Sequence, residues 1–313
     1  MTVISQPPRP TDTPLPVGIG PAAIQSQPTR RSNGLQSPNK RALIYTVLFL
    51  GSLAFLVPFY FILNGSLKTE EAVQAGDFIT PPHSLSDVRW SNYPRALSKE
   101  KMDFWPALSN TVVVTTLCVV GQIISCSLVG FGFARFRFRG RSILFMVMLS
   151  TMMLPAQVTM IPVFVLFKSL HMIDSFWPLI LPAWLASPFF VFMFRQFFTQ
   201  VPEELIEAAR IDGATNARIY WQLMLPLSGP VIAIVAIYTF LGTWNDFMGP
   251  LIYLNSPSSR TLSLALNAFR GQYGVTDAHL LMAASVVCML PCVVLFFACQ
   301  KYFVESVATT GGK

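Results

Sequence analysis

Apolar residues along this chain fall into six long runs, at approximately 43–63, 108–133, 143–167, 176–198, 231–254 and 280–303. A bilayer core about 30 Å thick needs roughly 20 apolar residues of helix at about 1.5 Å rise each, and every run meets that length. The second, third, fourth and sixth contain no Asp, Glu, Lys or Arg apart from Arg195 and Lys301 at their ends. Soluble core helices do not sustain that length with so little charge. The pattern predicts an all-α membrane protein with six transmembrane helices.

The polar stretches between the runs differ in kind. Residues 1–40 hold eight of the 24 prolines, many Ser, Thr and Gln, and no apolar period. Such a tail buries too little surface to offset its ordering entropy and is expected to be disordered. It is also too long and proline-rich for the leading segment of a cleaved signal, so the first run is expected to be retained as an anchor. Composition agrees with the pattern: 53% of residues are hydrophobic and 12% charged, against roughly 25% charged in a soluble domain. The five cysteines, Cys118, Cys126, Cys288, Cys292 and Cys299, all fall in apolar runs without metal-ligand spacing and read as packing residues. His83, His171 and His279 fit no metal or catalytic spacing.

Charge placement gives an orientation. With the N-terminus inside, the inner segments carry 14 basic and 6 acidic residues, the outer loops 8 of each, and Asp246 remains within the fifth run. The whole positive excess of the +7 chain then sits on one side, and the positive-inside rule makes both termini cytoplasmic. The anionic partner that this balance suggests is membrane lipid, not nucleic acid. Arg135-Phe136-Arg137-Phe138-Arg139, wedged between two runs, reads as a topology anchor and is assigned no chemistry.

The longest inner loop between spans, 200–230, is the informative one. Pro202 suits a first helical turn, and Glu203 and Glu204 put negative charge at the positive end of the helix dipole. Leu205, Ala208, Ala209 and Ile211 make an apolar face, and Gly213 supplies a left-handed stop. Thr215 is placed to cap a second helix, with Ile219, Leu223 and Leu225 at helical spacing before Pro226 ends it. Two short rigid helices about a glycine turn, with small exposed residues, form a docking surface for another protein.

This loop resembles the signature of bacterial ABC importer permeases. Glu207-Ala208-Ala209 is followed after three residues by Gly213, and nine residues later by Leu223-Met224-Leu225-Pro226, with Leu223 at a position usually held by Ile. The resemblance extends over residues 40–313 and looks nearest to the second permease of carbohydrate importers of the maltose type. Ser66-Leu67-Lys68-Thr69, Asn110-Thr111, the stretch from Gly132 to Gly140, the two prolines Pro155 and Pro162, and Trp244-Asn245-Asp246-Phe247 carry it elsewhere. Asp246 stands where many relatives have Glu, and Glu305-Ser306 replaces a basic residue and glycine.

The resemblance implies a six-span permease domain over 41–304, a cytoplasmic tail at 305–313, and a place in a bacterial inner membrane. It implies a subunit without its own ATP site: a second, different permease completes the path, two ATPase subunits dock beneath, and an extracytoplasmic solute-binding protein delivers a sugar. ATP and Mg would be held by the ATPases, and the chain itself would hold no cofactor. Glu203, Glu204, Glu207, Ala208, Ala209, Asp212, Gly213, Leu225 and Pro226 become the ATPase-coupling candidates. Independently, the chain has no Gly-x-x-x-x-Gly-Lys-Ser/Thr phosphate cradle.

Polar groups within the spans are candidates for the substrate path. An ionisable residue there costs on the order of 2.5–3.5 kcal/mol by insertion scales, which singles out Asp246. At helical spacing it shares a face with Thr239, Gly242, Thr243, Gly249 and Tyr253. Two readings stand, a lining that hydrogen-bonds sugar hydroxyls and a pairing of Asn245 and Asp246 with a neighbouring helix. Gln122, beside Thr115 and Ser125 on one face, and Gln157, flanked by prolines, line the path or serve helix packing. The outer loop from Asn64 to Ala107, with Trp90, Tyr93 and Trp105, either receives the binding protein or closes over the outer mouth. A polytopic enzyme would need clustered nucleophiles, and an ion-driven carrier more intramembrane charge and inverted halves. A permease for an anionic solute such as glycerol phosphate is the nearer rival, and no Lys or Arg lies mid-span to favour it.

Overall fold

The computed structural model describes residues 38–82, 84, 86–98, 100–269 and 277–310, with side chains from 40 to 300. Residues 1–37 of the predicted tail, His83, Arg270 and the last three residues lie outside that set, while residues 38–40, expected to be disordered, begin helix α1. The chain divides into two compact units at Leu56/Val57. The first comprises the beginning of helix α1 (Pro38–Ser66), whose large apolar side chains are exposed.

The second unit is built of helices and short connections. After α1 come α2 (Glu70–Gln74), α3 (Asn92–Ala96), α4 (Phe104–Arg135), α5 (Arg141–Ser150), α6 (Ala156–Ser169), α7 (Trp177–Trp184) and α8 (Pro188–Gln200). Then follow α9 (Glu203–Ile211), α10 (Asn216–Ile219), α11 (Leu225–Leu227), α12 (Gly229–Trp244), α13 (Met248–Tyr253), α14 (Leu262–Ala265) and α15 (Ala278–Thr310). Among the described residues there is no strand.

Among the described residues, four apolar helices are long enough to cross a bilayer: Lys40–Ser66, Phe104–Arg135, the α7–α8 pair as Trp177–Gln200, and Ala278–Gln300. They coincide with the predicted first, second, fourth and sixth runs to within three residues at each end that falls short. Two further helix pairs reach that length and apolarity only together, each bent at a short break. The predicted third run, 143–167, is not one helix: α5 with its 3₁₀ extension Thr151–Met153 meets α6 at 99°. Pro155 causes this, since a proline disfavours helical geometry at the preceding residue and cannot donate to the turn behind it. Leu154 is accordingly extended, at φ −80° and ψ 121°. The predicted fifth run is interrupted as well, at 245–247, between α12 and α13.

The fourth run carries a subtler break. Ser187 precedes Pro188 and is extended, and Ala186 is left-handed with φ 59°. Side chains of α4 meet this opened backbone. Ser125 Oγ donates to the Ala183 carbonyl at 3.3 Å, Cys126 Sγ points to the Ser187 carbonyl at 3.7 Å, and Gln122 Oε1 lies 3.5 Å from the Ser187 N–H. Without water, only such side chains can satisfy a helix interrupted inside hydrocarbon. Where α4 crosses α8, Gly130 allows close approach: a Cβ there would stand 2.7 Å from Phe194 Cβ and 3.1 Å from the Arg195 nitrogen.

Loops that alternation assigns to one side touch one another. On one face, Lys101 pairs with Asp277 at 2.5 Å, Asn110 Nδ2 donates to the Ser258 and Arg260 carbonyls, and Asp174 accepts from the Asn255 and Ser256 amides at 2.9 Å. These amides and the Ser256 hydroxyl hold the Asp174 carboxyl below the usual range. The segment 64–107 is built into this face. Asn92 Nδ2 donates to the Ser66 and Lys68 carbonyls, while Trp90 and Trp105 stay exposed.

Candidate functional site: the element from 203 to 227 and its seat

Helix α9 begins as its sequence directs. Pro202 stands at the N-cap, one place before the helix, with Glu203 and Glu204 in the first turn. It ends at Asp212, and Gly213 takes φ 78°, the left-handed conformation that glycine adopts without steric cost. Thr215 Oγ1 then accepts from the Arg218 N–H at 3.3 Å and starts α10. The sequence therefore marks each turn of this element. Its far end differs from expectation, because Pro226 does not end the helix. Residues Tyr220–Met224 form a π turn and Pro226 continues into α11. Widening the turn is a way to house the proline ring, which would strike the carbonyl four residues earlier in a regular α-helix. The chain bends at Ser228 instead, by 75° into α12.

One face of this element is seated in the bundle. Ile206, 2% exposed, is its anchor, together with Ile219, Tyr220 and Met224. They join Cys126 and Phe131 of α4, Val191, Phe194 and Phe198 of α8, and Val231 and Val235 of α12 in one core. Tyr220 and Ser127 hydroxyls are 2.7 Å apart within it. The sequence pattern put Leu205, Ala208, Ala209 and Ile211 on one apolar face. The structure instead buries Ile206, half-buries Ala209, and leaves Leu205, Ala208 and Ile211 outward, Ile211 at 86% exposure. At i, i+3, i+4 and i+7, Glu204, Glu207, Ala208 and Ile211 form a fully exposed stripe. Asp212 and Pro226 are exposed beside it and Leu225 is half-buried.

Arg135 ties the element to the second span. From the last turn of α4, its Nη1 pairs with Glu203 Oε2 at 2.7 Å, and its Nη2 donates to the carbonyls of Phe198 at 2.5 Å and Val201 at 2.6 Å. The side chain is 9% exposed and Glu203 56%. In the sequence, Arg135 reads only as part of a topology anchor. Its spacing to the loop is a tertiary fact with no local signature. Arg210 Nη1 lies 4.0 Å from the other Glu203 oxygen, and Glu207 makes no ion pair among the described residues.

The four path candidates are not gathered into one cluster, and none hydrogen-bonds another. Gln122 faces the break at 187, and Gln157 stands exposed near the start of α6. Asn245 and Asp246 sit in the gap between α12 and α13. Asn245 Nδ2 donates to the Leu241 carbonyl at 2.9 Å, and Asp246 Oδ1 accepts from the Gly249 N–H at 3.1 Å, capping α13. The helix break divides the stripe expected around Asp246. Gly242, Thr243 and Asp246 line a cleft of about 110 Å³ with Thr111 and Thr115, while Tyr253 turns to Phe164 and Phe167. Asn245 opens into a larger cavity of about 420 Å³ with Trp244, Phe247, Ser263, Asn267 and Ser285. Among the described residues, no charged side chain lines it. No group of His, Cys, Asp or Glu able to hold a metal occurs among the described residues.

A broken-helix membrane bundle with a proline-capped, glycine-turned element seated at one end is the architecture of an ABC importer permease subunit. Residues 127–309 match the binding-protein-dependent transport system inner membrane components, and the chain belongs to that family. It is 35% identical over 84% of its length to the arabinooligosaccharides transport system permease protein AraQ of Bacillus subtilis, covering 92% of that protein. It is 32% identical to the sn-glycerol-3-phosphate transport system permease protein UgpE of Escherichia coli O157:H7, over 83% of this chain and 93% of the other. Its fold superposes with a TM-score of 0.74 on a chain of a bacterial ABC transporter that imports the acidic polysaccharide alginate, at 24% identity, covering 86% and 99% of the two chains.

Proposed function

We propose that this permease subunit forms, with a second and different permease, the path for a neutral sugar or oligosaccharide delivered by a solute-binding protein. The observation that carries the substrate class is the cavity at Asn245. Trp244 and Phe247 give it apolar aromatic lining, Asn245, Asn267, Ser263 and Ser285 offer hydrogen bonds, and among the described residues no cation lines it to favour a phosphate or carboxylate. Likeness to the arabinooligosaccharide permease supports the same class. Both termini and the 203–227 element are cytoplasmic in this reading.

The mechanism is mechanical coupling. Two ATPase subunits carry ATP and Mg, and the exposed stripe Glu204, Glu207, Ala208 and Ile211 docks on one of them. Closure of the ATPase pair pushes α9. Because Ile206, Ile219 and Tyr220 are seated in the α4–α8–α12 core, the push turns those helices and changes the side to which the cavity opens. Gln122, Gln157 and Asp246 remain path candidates alongside Asn245.

The test is uptake of labelled arabino-oligosaccharide and of labelled glycerol 3-phosphate in cells lacking this chain. Complementation by the wild type should restore the sugar and not the phosphate ester. Restoration of glycerol phosphate uptake alone would replace the substrate class.

A further inference from the structure

Arg195 has no part in the coupling described above. Its guanidinium carbon lies 4.2 Å from the centre of the Phe145 ring. Its Nε is buried and lacks a hydrogen-bond partner among the described residues, a state that an ordinary buried donor avoids. Arg195 lines a cleft of about 290 Å³ with Arg141, Ser142 and Phe145. A second cleft, of about 390 Å³, shares Arg141 and Ser142 and adds Arg137 and Ile143. Arg141 gives one Nη to the Phe136 carbonyl at 3.2 Å, and Arg137 is exposed with no acceptor among the described residues.

Three arginines thus line two clefts that share Arg141 and Ser142, and no acid among the described residues lines either. Glu203 is engaged by Arg135. Gathered cations of this kind call for an anion, and the planar fork of arginine matches phosphate oxygens. Apolar surface begins immediately beside the charge: Ile143 and Met146 are each 69% exposed. The site therefore offers a grip for phosphate and a track for hydrocarbon at the end of two spans. Basic pockets between spans hold lipid head groups in this way.

We propose that these clefts bind the head group of an anionic glycerophospholipid, with Arg141 and Arg195 on the phosphate, Arg137 flanking it, and an acyl chain along Ile143 and Met146. The site is independent of the solute carried and of ATPase docking. It is tested by native mass spectrometry of the full chain purified from membranes in mild detergent, with dioleoyl phosphatidylglycerol, dioleoyl phosphatidylcholine and inorganic phosphate as probes. Wild type should retain phosphatidylglycerol in preference to phosphatidylcholine. Retention should fall about fivefold for each arginine removed, in Arg137→Gln, whose exposed side chain carries no packing, and further in Arg141→Gln with Arg195→Gln. Arg260→Gln, on the opposite face, should change nothing. Equal retention by Arg137→Gln and the double variant, or equal retention of the two lipids, overturns the proposal. Displacement of phosphatidylglycerol by millimolar inorganic phosphate would assign the clefts to a free anion and overturn it equally.

Discussion

Arg135, the last residue of the second span, meets Glu203, the first residue of α9, across 2.7 Å while the same guanidinium holds the carbonyls of Phe198 and Val201. One side chain therefore fixes where the fourth span ends and where α9 starts. Hydrogen bonds from a charged donor are worth about 1.5–3 kcal/mol each, and the carbonyls would be left without them.

Arg135→Ala is expected to free the start of α9 while the chain still inserts. Coupled transport should fall at least tenfold, and proteolysis between 199 and 204 should accelerate. Glu203→Gln should be much milder, under about 1 kcal/mol, because that carboxylate is more than half exposed and water screens the pair. Equal damage from both variants would place the weight on the ion pair and not on the carbonyls.

Glu207→Lys reverses charge on the exposed stripe without touching the seated face. Gly213→Pro cannot adopt φ 78°, since the ring holds φ near −65°. Both should abolish transport-coupled ATP hydrolysis in assembled membranes while membrane insertion, read by fractionation, stays intact. Normal coupled hydrolysis in either variant would contradict the docking role.

Gly130→Ala should destabilise the purified chain by about 1–3 kcal/mol, because its methyl meets Phe194 and the backbone of α8. Gly132→Ala, two residues on, has only Phe136 at 4.0 Å and should be neutral or better. The pair is read by thermal unfolding in detergent.

Asp246→Asn keeps an acceptor for the Gly249 N–H, and Asp246→Ala loses the cap at about 1 kcal/mol. Equal uptake by wild type and the Asn variant, with loss only in Ala, identifies a capping role. Loss in both, at unchanged stability, identifies the path.

On the opposite face, Asp77 takes hydrogen bonds from Lys68 and Thr80, which lower its pKa to about 2. An acid depressed in the folded state contributes its link above the unfolded value near 3.9 and loses it as pH falls through the folded one. Amide-exchange protection at Thr80, whose N–H donates to Asp77, should therefore persist at pH 4 and fade only as pH approaches 2.

What the sequence could disclose was local. Gly213, Thr215 and the paired acids after Pro202 each act within a turn of their own position, so the two-helix element was legible, and apolar length located the spans. Pro155 and Pro188 were visible, but whether a proline kinks, breaks or is absorbed depends on neighbours: Pro155 turns the chain 99°, whereas Pro226 is taken up by a π turn. Arg135 and Ile206 escaped notice because their partners are over sixty residues away or on another span. Gln122 likewise shows its engagement with the opened backbone at 187 only once α4 and α8 are side by side.

Gly130 has a wider consequence. Any branch added at this position would meet the Phe194 Cβ and the α8 backbone at once, so α4 and α8 keep their spacing only while position 130 is bare. In the proposed coupling, a push on Ile206 would reach α4 and α8 through the core they share with it. The proposed lever would thus depend on the smallest residue in the chain, at the place where its two beams cross.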